Sequence, residues 1–216
     1  MAKKQTGKSD PSARKQPRRP AKKAAKPAPA SQRARILSSK VVWEGPLFRV
    51  LRDNIVEPTG VHCTRDVIRH NGSVVILAVD RSRSKKNPWI VMERQYRHAA
   101  NQFLWEVPAG KLEAGEDPLE GAKRELAEET GYQAKKWRPL ATYYASPGFL
   151  GEAMLVFVAE GLYPGYARPD EDERIELRLV KLNDILKMIA KGAIHDGKTL
   201  IAVLLYAWLR SRKHKK

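Results

Sequence analysis

Residues 110–132 read GKLEAGEDPLEGAKRELAEETGY, and the second half of this stretch carries the marks of a helix. Asp117 suits the N-cap, Pro118 the first helical position and Glu120 the reciprocal half of a capping box, while Gly131 supplies the stop. These signals predict a helix over 118–130. Leu119, Ala122 and Leu126, spaced by three and four, give it an apolar stripe to dock on a sheet. At about 100° per residue, Glu125, Glu128 and Glu129 fall within about one third of the circumference, on a neighbouring sector. Like charges so placed cost a few tenths of a kcal/mol per pair at an exposed surface. A hard divalent cation turns that cost into binding energy, and an all-oxygen donor set suits Mg²⁺, or Mn²⁺. Gly110 and Gly115 let the preceding loop bring its backbone close to the helix and to such an ion. Arg124 stands one turn before Glu128 and can pair with it, orienting a ligand.

Around this helix, short segments of strand character lie at 41–43, 48–55, 62–69, 73–79 and 89–95. They are separated by Pro58-Thr59-Gly60, by Asn71-Gly72 and by the polar run 80–88, where Gly, Pro or Asn permits reversal. Further strands are predicted at 138–144, 154–159 and 175–180, then helices at 182–191 and 198–212. The order is mixed and not a βαβ repeat, so the expected class is α/β (α+β) with a mixed sheet, preceded by an antiparallel strand segment. The expected divisions are a tail at 1–35, N-terminal strands at 36–70, the main domain at 71–209 and a second tail at 210–216.

The 216 residues, 42% hydrophobic, suffice for one domain with a real core. No apolar run reaches the roughly 18–20 residues that span a bilayer, and no secretory pattern follows the first charges. A single cysteine, Cys63, points to a cytoplasmic setting without an internal disulfide. The net charge of +17 resembles a nucleic-acid signature until it is divided along the chain. Residues 1–40 hold thirteen Lys or Arg and one acid, and 210–216 hold five more basic residues, which leaves 23 basic and 23 acidic residues between. The basicity therefore belongs to the tails. The first arm has almost nothing to bury, which predicts disorder. No aromatic residues interleave to stack on bases, so a solvated tail is favoured over nucleic-acid contact.

The same stretch resembles the Nudix box: Gly, five residues, Glu, seven residues, Arg-Glu, an aliphatic, any residue, Glu-Glu, any residue, Gly and an aliphatic. Only the last position departs, with Tyr132 in place of the aliphatic. ERQYR at 93–97, LWEVPAG at 104–110, and SPGF at 146–149 with Glu152 resemble the ADP-ribose pyrophosphatase branch of the Nudix hydrolases. The resemblance spans about 41–209. It implies a Nudix α/β/α sandwich and magnesium-dependent hydrolysis of a nucleoside diphosphate sugar, with ADP-ribose giving AMP and ribose 5-phosphate. It implies Glu125 and Glu129 as principal metal ligands, joined by Glu128 and the Ala109 carbonyl, with Glu113 and Glu116 in lesser roles. It places Arg97 on the diphosphate and Glu152 near the terminal ribose, with Gly110 and Ser146 also facing substrate. Glu128 and Glu129 carry catalysis through the metal, while Glu171 or Glu173, in the run 170–173, supplies the general base. Members of this branch pair through their N-terminal strands, which implies a homodimer.

GDP-mannose or another sugar nucleotide is the alternative substrate, since base selection rests on pocket residues that the motifs leave open. A non-catalytic Nudix-fold module binding RNA is the rival from another class, and the intact glutamates argue against it. The five histidines show no zinc-ligand spacing; His98 reads as an edge residue. Trp43, Phe48 and Trp105 are candidates to stack on a base, although buried aromatics more often serve the core.

Overall fold

The computed structural model describes residues 33–46, 48–166 and 174–213. The tail at 1–32, the last three residues and the candidate bases Glu171 and Glu173 lie outside the described residues.

Three strands, β1 (Arg35–Glu44), β2 (Arg49–Val56) and β3 (His62–Ile68), form an antiparallel sheet in that order. The larger sheet is built on β4 (Ser73–Asp80), and every residue from Val74 to Val79 is fully buried. Its uninterrupted Val/Ile/Leu character fits a strand covered on both faces. On one edge β4 runs parallel to β9 (Ala153–Pro164), which pairs antiparallel with β8 (Tyr132–Tyr144). On the other edge β4 changes partner. It pairs at its end with β5 (Trp89–Arg97) through Val79 and Asp80 only. At its start Ser73, Val74 and Val75 pair with β7 (Ala109–Lys111). Beyond the two shared pairs, β5 is flanked instead by β6 (Gln102–Glu106) and β10 (Glu176–Lys181).

Because side chains alternate along a strand, β4 feeds two cores. Val74, Ile76 and Ala78 pack with Ala122 and Leu126 of α1 (Pro118–Thr130). Val75, Leu77 and Val79 pack with Ile185 of α2 (Leu182–Ala190) and with Ala202, Val203 and Tyr206 of α3 (Gly197–Lys213). The result is the expected α/β/α sandwich with a mixed sheet. The helices lie where the sequence places them, and α1 is capped as read: Asp117 accepts from the Leu119 and Glu120 amides at 2.9 and 3.1 Å, and Gly131 takes φ +67°. Glu120 departs from the capping-box expectation, since its carboxylate accepts from Lys123 Nζ at 2.7 Å.

The strands differ more from expectation. β1 starts at Arg35 and all ten of its residues are exposed, so no inside–outside alternation marks its first half. β8 begins six residues earlier than the predicted 138 because it follows directly on Gly131, with polar Gln133, Lys135 and Lys136 in the lengthened part. β6 and β7, short pieces flanking Pro108, are strands that the sequence reading did not separate from loop. At the other end, α3 continues through residue 213, and Arg210 Nη2 donates to the Lys85 carbonyl at 2.7 Å.

Among the described residues no helix is long and apolar enough to cross a membrane. The two sheets meet at the SPGF segment, where Ile68 N donates to Phe149 O at 2.8 Å and Gly151 N donates to Ile68 O at 2.9 Å.

Candidate active site

Where β4 exchanges β5 for β7, a cleft of about 1060 Å³ opens. Its walls come from the starts of β4 and α3, the residues just before and within β9, the end of β8, strand β7 and the second half of α1. Glu125, Glu128 and Glu129 all line it, as do Ala109, Gly110, Arg97 and Glu152. These are seven of the residues expected to form the site, drawn from four separate stretches of chain. Ser146 is not among the lining residues. Its carbonyl accepts from the Phe149 and Leu150 amides at 3.2 and 2.9 Å, which closes the turn leading to the N-terminal sheet.

The three helical carboxylates differ in environment. Glu129 is buried, with 6% of its surface exposed, and Oε2 accepts from the Ala109 amide at 3.0 Å. Glu125 lies over Gly110 so closely that a Cβ there would stand 1.9 Å from its carboxyl carbon. That contact explains a glycine at this position without appeal to backbone angle. Glu128 is the most open of the three, with 41% of its side chain exposed.

Arg124 ties this region together. Nε and Nη2 grip Glu116 at 2.9 and 3.1 Å, Nη1 donates to Glu125 at 2.8 Å and to Glu128 at 2.9 Å, and Nη2 reaches the Lys111 carbonyl at 3.1 Å. The expected Arg124–Glu128 pair is thus one part of a larger arrangement that engages all five guanidinium donors. The Glu116 hydrogen bond leads in raising the Arg124 pKa well above its ordinary value, with Glu125 and Glu128 adding to it against the opposing effect of burial. Glu116 is held low in return by Arg124 and by the Glu113 amide, which donates at 3.0 Å. Its role here is to fasten the loop to α1.

The opposite wall was not read from the sequence. Glu106, 2% exposed, accepts a two-pronged contact from Arg97, Nε and Nη2 both at 2.8 Å, and also pairs with Lys198. Lys198 Nζ pairs with Asp196 at 3.1 Å, and Asp196 caps α3 by accepting from the Thr199 amide at 2.9 Å. Thr199 Oγ1 donates to Asp196 at 2.6 Å and accepts from the Val107 amide at 2.9 Å. On the third side, Ser73 Oγ donates to Glu152 Oε1 at 2.6 Å. Beside it, burial, then the charges of Asp196 and Glu152, push the Tyr143 hydroxyl up to about 12, so it stays protonated and able to donate at neutral pH. Tyr143 and Tyr144 are the aromatic residues lining the cleft; Trp43, Phe48 and Trp105 do not line it.

The charges in the lining explain what the cleft needs. Arg97, Lys111, Arg124 and Lys198 supply four positive charges, against six carboxylates from Glu113, Glu125, Glu128, Glu129, Glu152 and Asp196. A cleft with two surplus negative charges repels a phosphate ester until a dication enters. Among the described residues no three His, Cys, Asp or Glu side chains stand together as a ready-made cage. Two of the candidate ligands, Glu125 and Glu128, are turned onto Arg124. The donor set is nonetheless all oxygen and converges on one cleft, over a glycine that leaves Glu125 its room. It fits a hard divalent cation.

A family model described as NUDIX domain matches residues 69–202, and the chain belongs to the Nudix family. It is 36% identical over 181 residues to the methanol dehydrogenase activator of Bacillus methanolicus, an overlap that covers 83% of this chain and 95% of that protein. It is 36% identical over 169 residues to the ADP-ribose pyrophosphatase of Bacillus subtilis (strain 168), covering 77% and 89% respectively. The crystal structure of an ADP compounds hydrolase shares the fold, with a TM-score of 0.69 and 22% identity, over 84% of this chain and 96% of that one.

The buried Glu106 sets an acid limit on stability. Burial alone would raise its pKa, but the Arg97 hydrogen bond and the Lys198 charge together outweigh it and hold the group low. A carboxylate lowered in the folded state contributes stability above its unfolded value, about 4.3, and that contribution is lost as pH falls through the folded value. Thermal melts should therefore be flat near neutrality and fall below about pH 4.5. Glu106→Gln should melt lower at pH 7, by an equivalent of about 3–5 kcal/mol, and show a shallower acid slope; equal slopes would show that Glu106 does not titrate with folding.

Proposed function

We propose that this Nudix hydrolase cleaves the diphosphate bridge of a nucleoside diphosphate sugar, with ADP-ribose and water giving AMP and ribose 5-phosphate. The single observation that carries the reading is the convergence of Glu125, Glu128 and Glu129 with Arg97 and Glu152 on one cleft. The likeness to an ADP-ribose pyrophosphatase over most of both chains supports the choice of substrate.

Family membership implies a divalent metal ion, and Mg²⁺ is the ion proposed, with Mn²⁺ as substitute. Glu125, Glu129, Glu128 and the Ala109 carbonyl would hold it. When bound, such an ion neutralises charge on the phosphate oxygens and lowers the pKa of a coordinated water. Arg97, held by Glu106 and lining the cleft together with Glu129, would take the diphosphate beside the helical carboxylates. Glu152, steadied by Ser73, accepts from hydroxyls of the terminal ribose. Gly110 admits the substrate close to the backbone, and Ser146 acts by shaping the turn before Glu152. The base that takes the water proton is assigned to Glu171 or Glu173 in the acidic run after β9.

We further propose that the chain works as a cytoplasmic homodimer. Ile36, Leu37, Val41, Val42 and Trp43 of β1, with Phe48, are all exposed on the single chain, an apolar content suited to contact with a second copy. Trp43 and Phe48, with ring centres 5.0 Å apart, would then be available to stack on the base of a substrate in the partner's cleft. The unit 71–209 supplies the catalytic domain and the strands 36–70 the dimer contact, and no part in hydrolysis is assigned to the basic stretches 1–35 and 210–216.

Glu129→Gln retains the size of the side chain and removes its charge. With Mg²⁺, it should lower kcat by about two orders of magnitude or more while the melting temperature stays near that of the native chain; near-native turnover would remove Glu129 from the metal site. A panel of ADP-ribose, GDP-mannose, NADH and capped RNA should give its highest kcat/KM with ADP-ribose. Size-exclusion mass should equal two chains, and a mass of one chain would contradict the dimer.

A further inference from the structure

Glu152 lines the cleft, and a histidine that does not line it faces the same carboxylate from behind. His70 lies in the short link between β3 and β4, and that link is fixed on both sides. Ile68 exchanges backbone hydrogen bonds with Phe149 and Gly151, the residues that lead to Glu152, and Arg69 Nη2 donates to the buried Asp53 Oδ2 at 2.5 Å. On the other side, Gly72 N donates to His70 Nδ1 at 3.0 Å. A ring nitrogen that accepts carries no proton, so the neutral imidazole holds its proton on Nε2. Nε2 stands 3.9 Å from Glu152 Oε1, the oxygen that also takes the Ser73 hydroxyl at 2.6 Å.

The Gly72 contact alone does not call for histidine, since an Asn or Asp side chain at 70 would accept that amide as well. What the ring adds is a donor further out, directed at a carboxylate of the cleft. One hydrogen bond, from Ser73, leaves that carboxylate free to swivel about Oε1. A second donor on the same oxygen fixes its plane and presents Oε2 to the cleft. The gap exceeds hydrogen-bond length by about 1 Å, a looseness typical of a site that tightens when its ligand enters.

We propose that His70 is a positioning residue for Glu152. Its Nε2–H closes on Oε1 as a nucleoside diphosphate sugar binds, and Oε2 is thereby turned to the hydroxyls of the terminal sugar. The proposal rests on the reading of the protein as a sugar-nucleotide hydrolase. Because His70 acts only through Glu152, it matters for the sugar and not for the diphosphate.

The test uses the full chain with His70→Asn and His70→Gln. Asn keeps an acceptor for the Gly72 amide and has no donor at the Nε2 position, whereas Gln has that donor and loses the acceptor. Calorimetry with Mg²⁺ measures binding of α,β-methylene ADP-ribose, whose bridge is not cleaved, and of α,β-methylene ADP, which lacks the terminal sugar. His70→Asn should keep the native melting temperature, bind the ADP-ribose analogue about 5- to 20-fold more weakly and bind the ADP analogue within about twofold of the native chain. With ADP-ribose its KM should rise by a similar factor, and kcat should change less than about threefold. His70→Gln should melt lower yet recover most of the affinity for the sugar-bearing ligand. In a Glu152→Gln background, His70→Asn should add less than about a twofold loss. Native affinity for the ADP-ribose analogue in the folded Asn variant, or an equal loss for both ligands, overturns the assignment. If the native chain hydrolyses no sugar nucleotide, the parent reading falls instead, and nitrogen NMR of the imidazole at alkaline pH decides on His70. Its proton should reside on Nε2 and its signal should shift in Glu152→Gln; a proton on Nδ1, or a signal indifferent to Glu152, overturns the proposal.

Discussion

Four carboxylates crowd around the middle of α1 and the loop before it, and one guanidinium lets them coexist. Arg124 engages Glu116, Glu125 and Glu128 together with the Lys111 carbonyl. The loop, the helix and the floor of the cleft are therefore one mechanical unit. Without that cation the glutamates of α1 would repel one another across a single helical turn, and Glu116 would lose the partner that fastens the loop. The arrangement also sets the terms of metal binding. On the proposed reading a divalent ion would have to compete with Arg124 for Glu125 and Glu128, whereas Glu129 is held by the Ala109 amide.

The second constraint is the change of partner along β4. A strand paired with one neighbour over its full length leaves no opening beside it. Here β5 diverges after Ile90, opposite Val79, and β7 fills only the positions opposite Ser73 to Val75. The gap gives Gly110 its place under Glu125 and brings Arg97, at the far end of β5, to the rim. The two-sided burial of β4 makes the exchange tolerable, since α1 covers one face and α2 with α3 the other. The carboxylates of the helix and Arg97 at the strand end are positioned by that same sandwich.

What could be read in the sequence follows from the range of the interactions. The helix, its cap at Asp117, its stop at Gly131 and the alignment of Glu125, Glu128 and Glu129 depend on residues within one or two turns, and spacing reveals them. Arg124 with Glu128 was equally legible, being one turn apart, while its hold on Glu116 required knowing that the loop folds back. The other wall was hidden because its contacts are distant. Glu106 and Lys198 are 92 residues apart, as are Val107 and Thr199. Nothing local distinguishes Lys198 from the surface lysines around it. Only Thr199, fully buried at a helix start, hints that the region is more than a solvated turn. The strand β1 was underestimated for another reason, since its ten exposed residues leave no alternation to detect; in β8 two successive exposed lysines, Lys135 and Lys136, interrupt the alternation of the missed part.

The central claim, that the glutamates of α1 bind a divalent cation, is tested most directly by titrating Mn²⁺ into the native chain and into Glu129→Gln, with free ion followed by electron paramagnetic resonance. The account predicts saturable binding to the native chain that Mg²⁺ displaces, and loss of that binding in the folded variant. Equal binding by both proteins, or none by the native chain even with ADP-ribose analogue present, would contradict it.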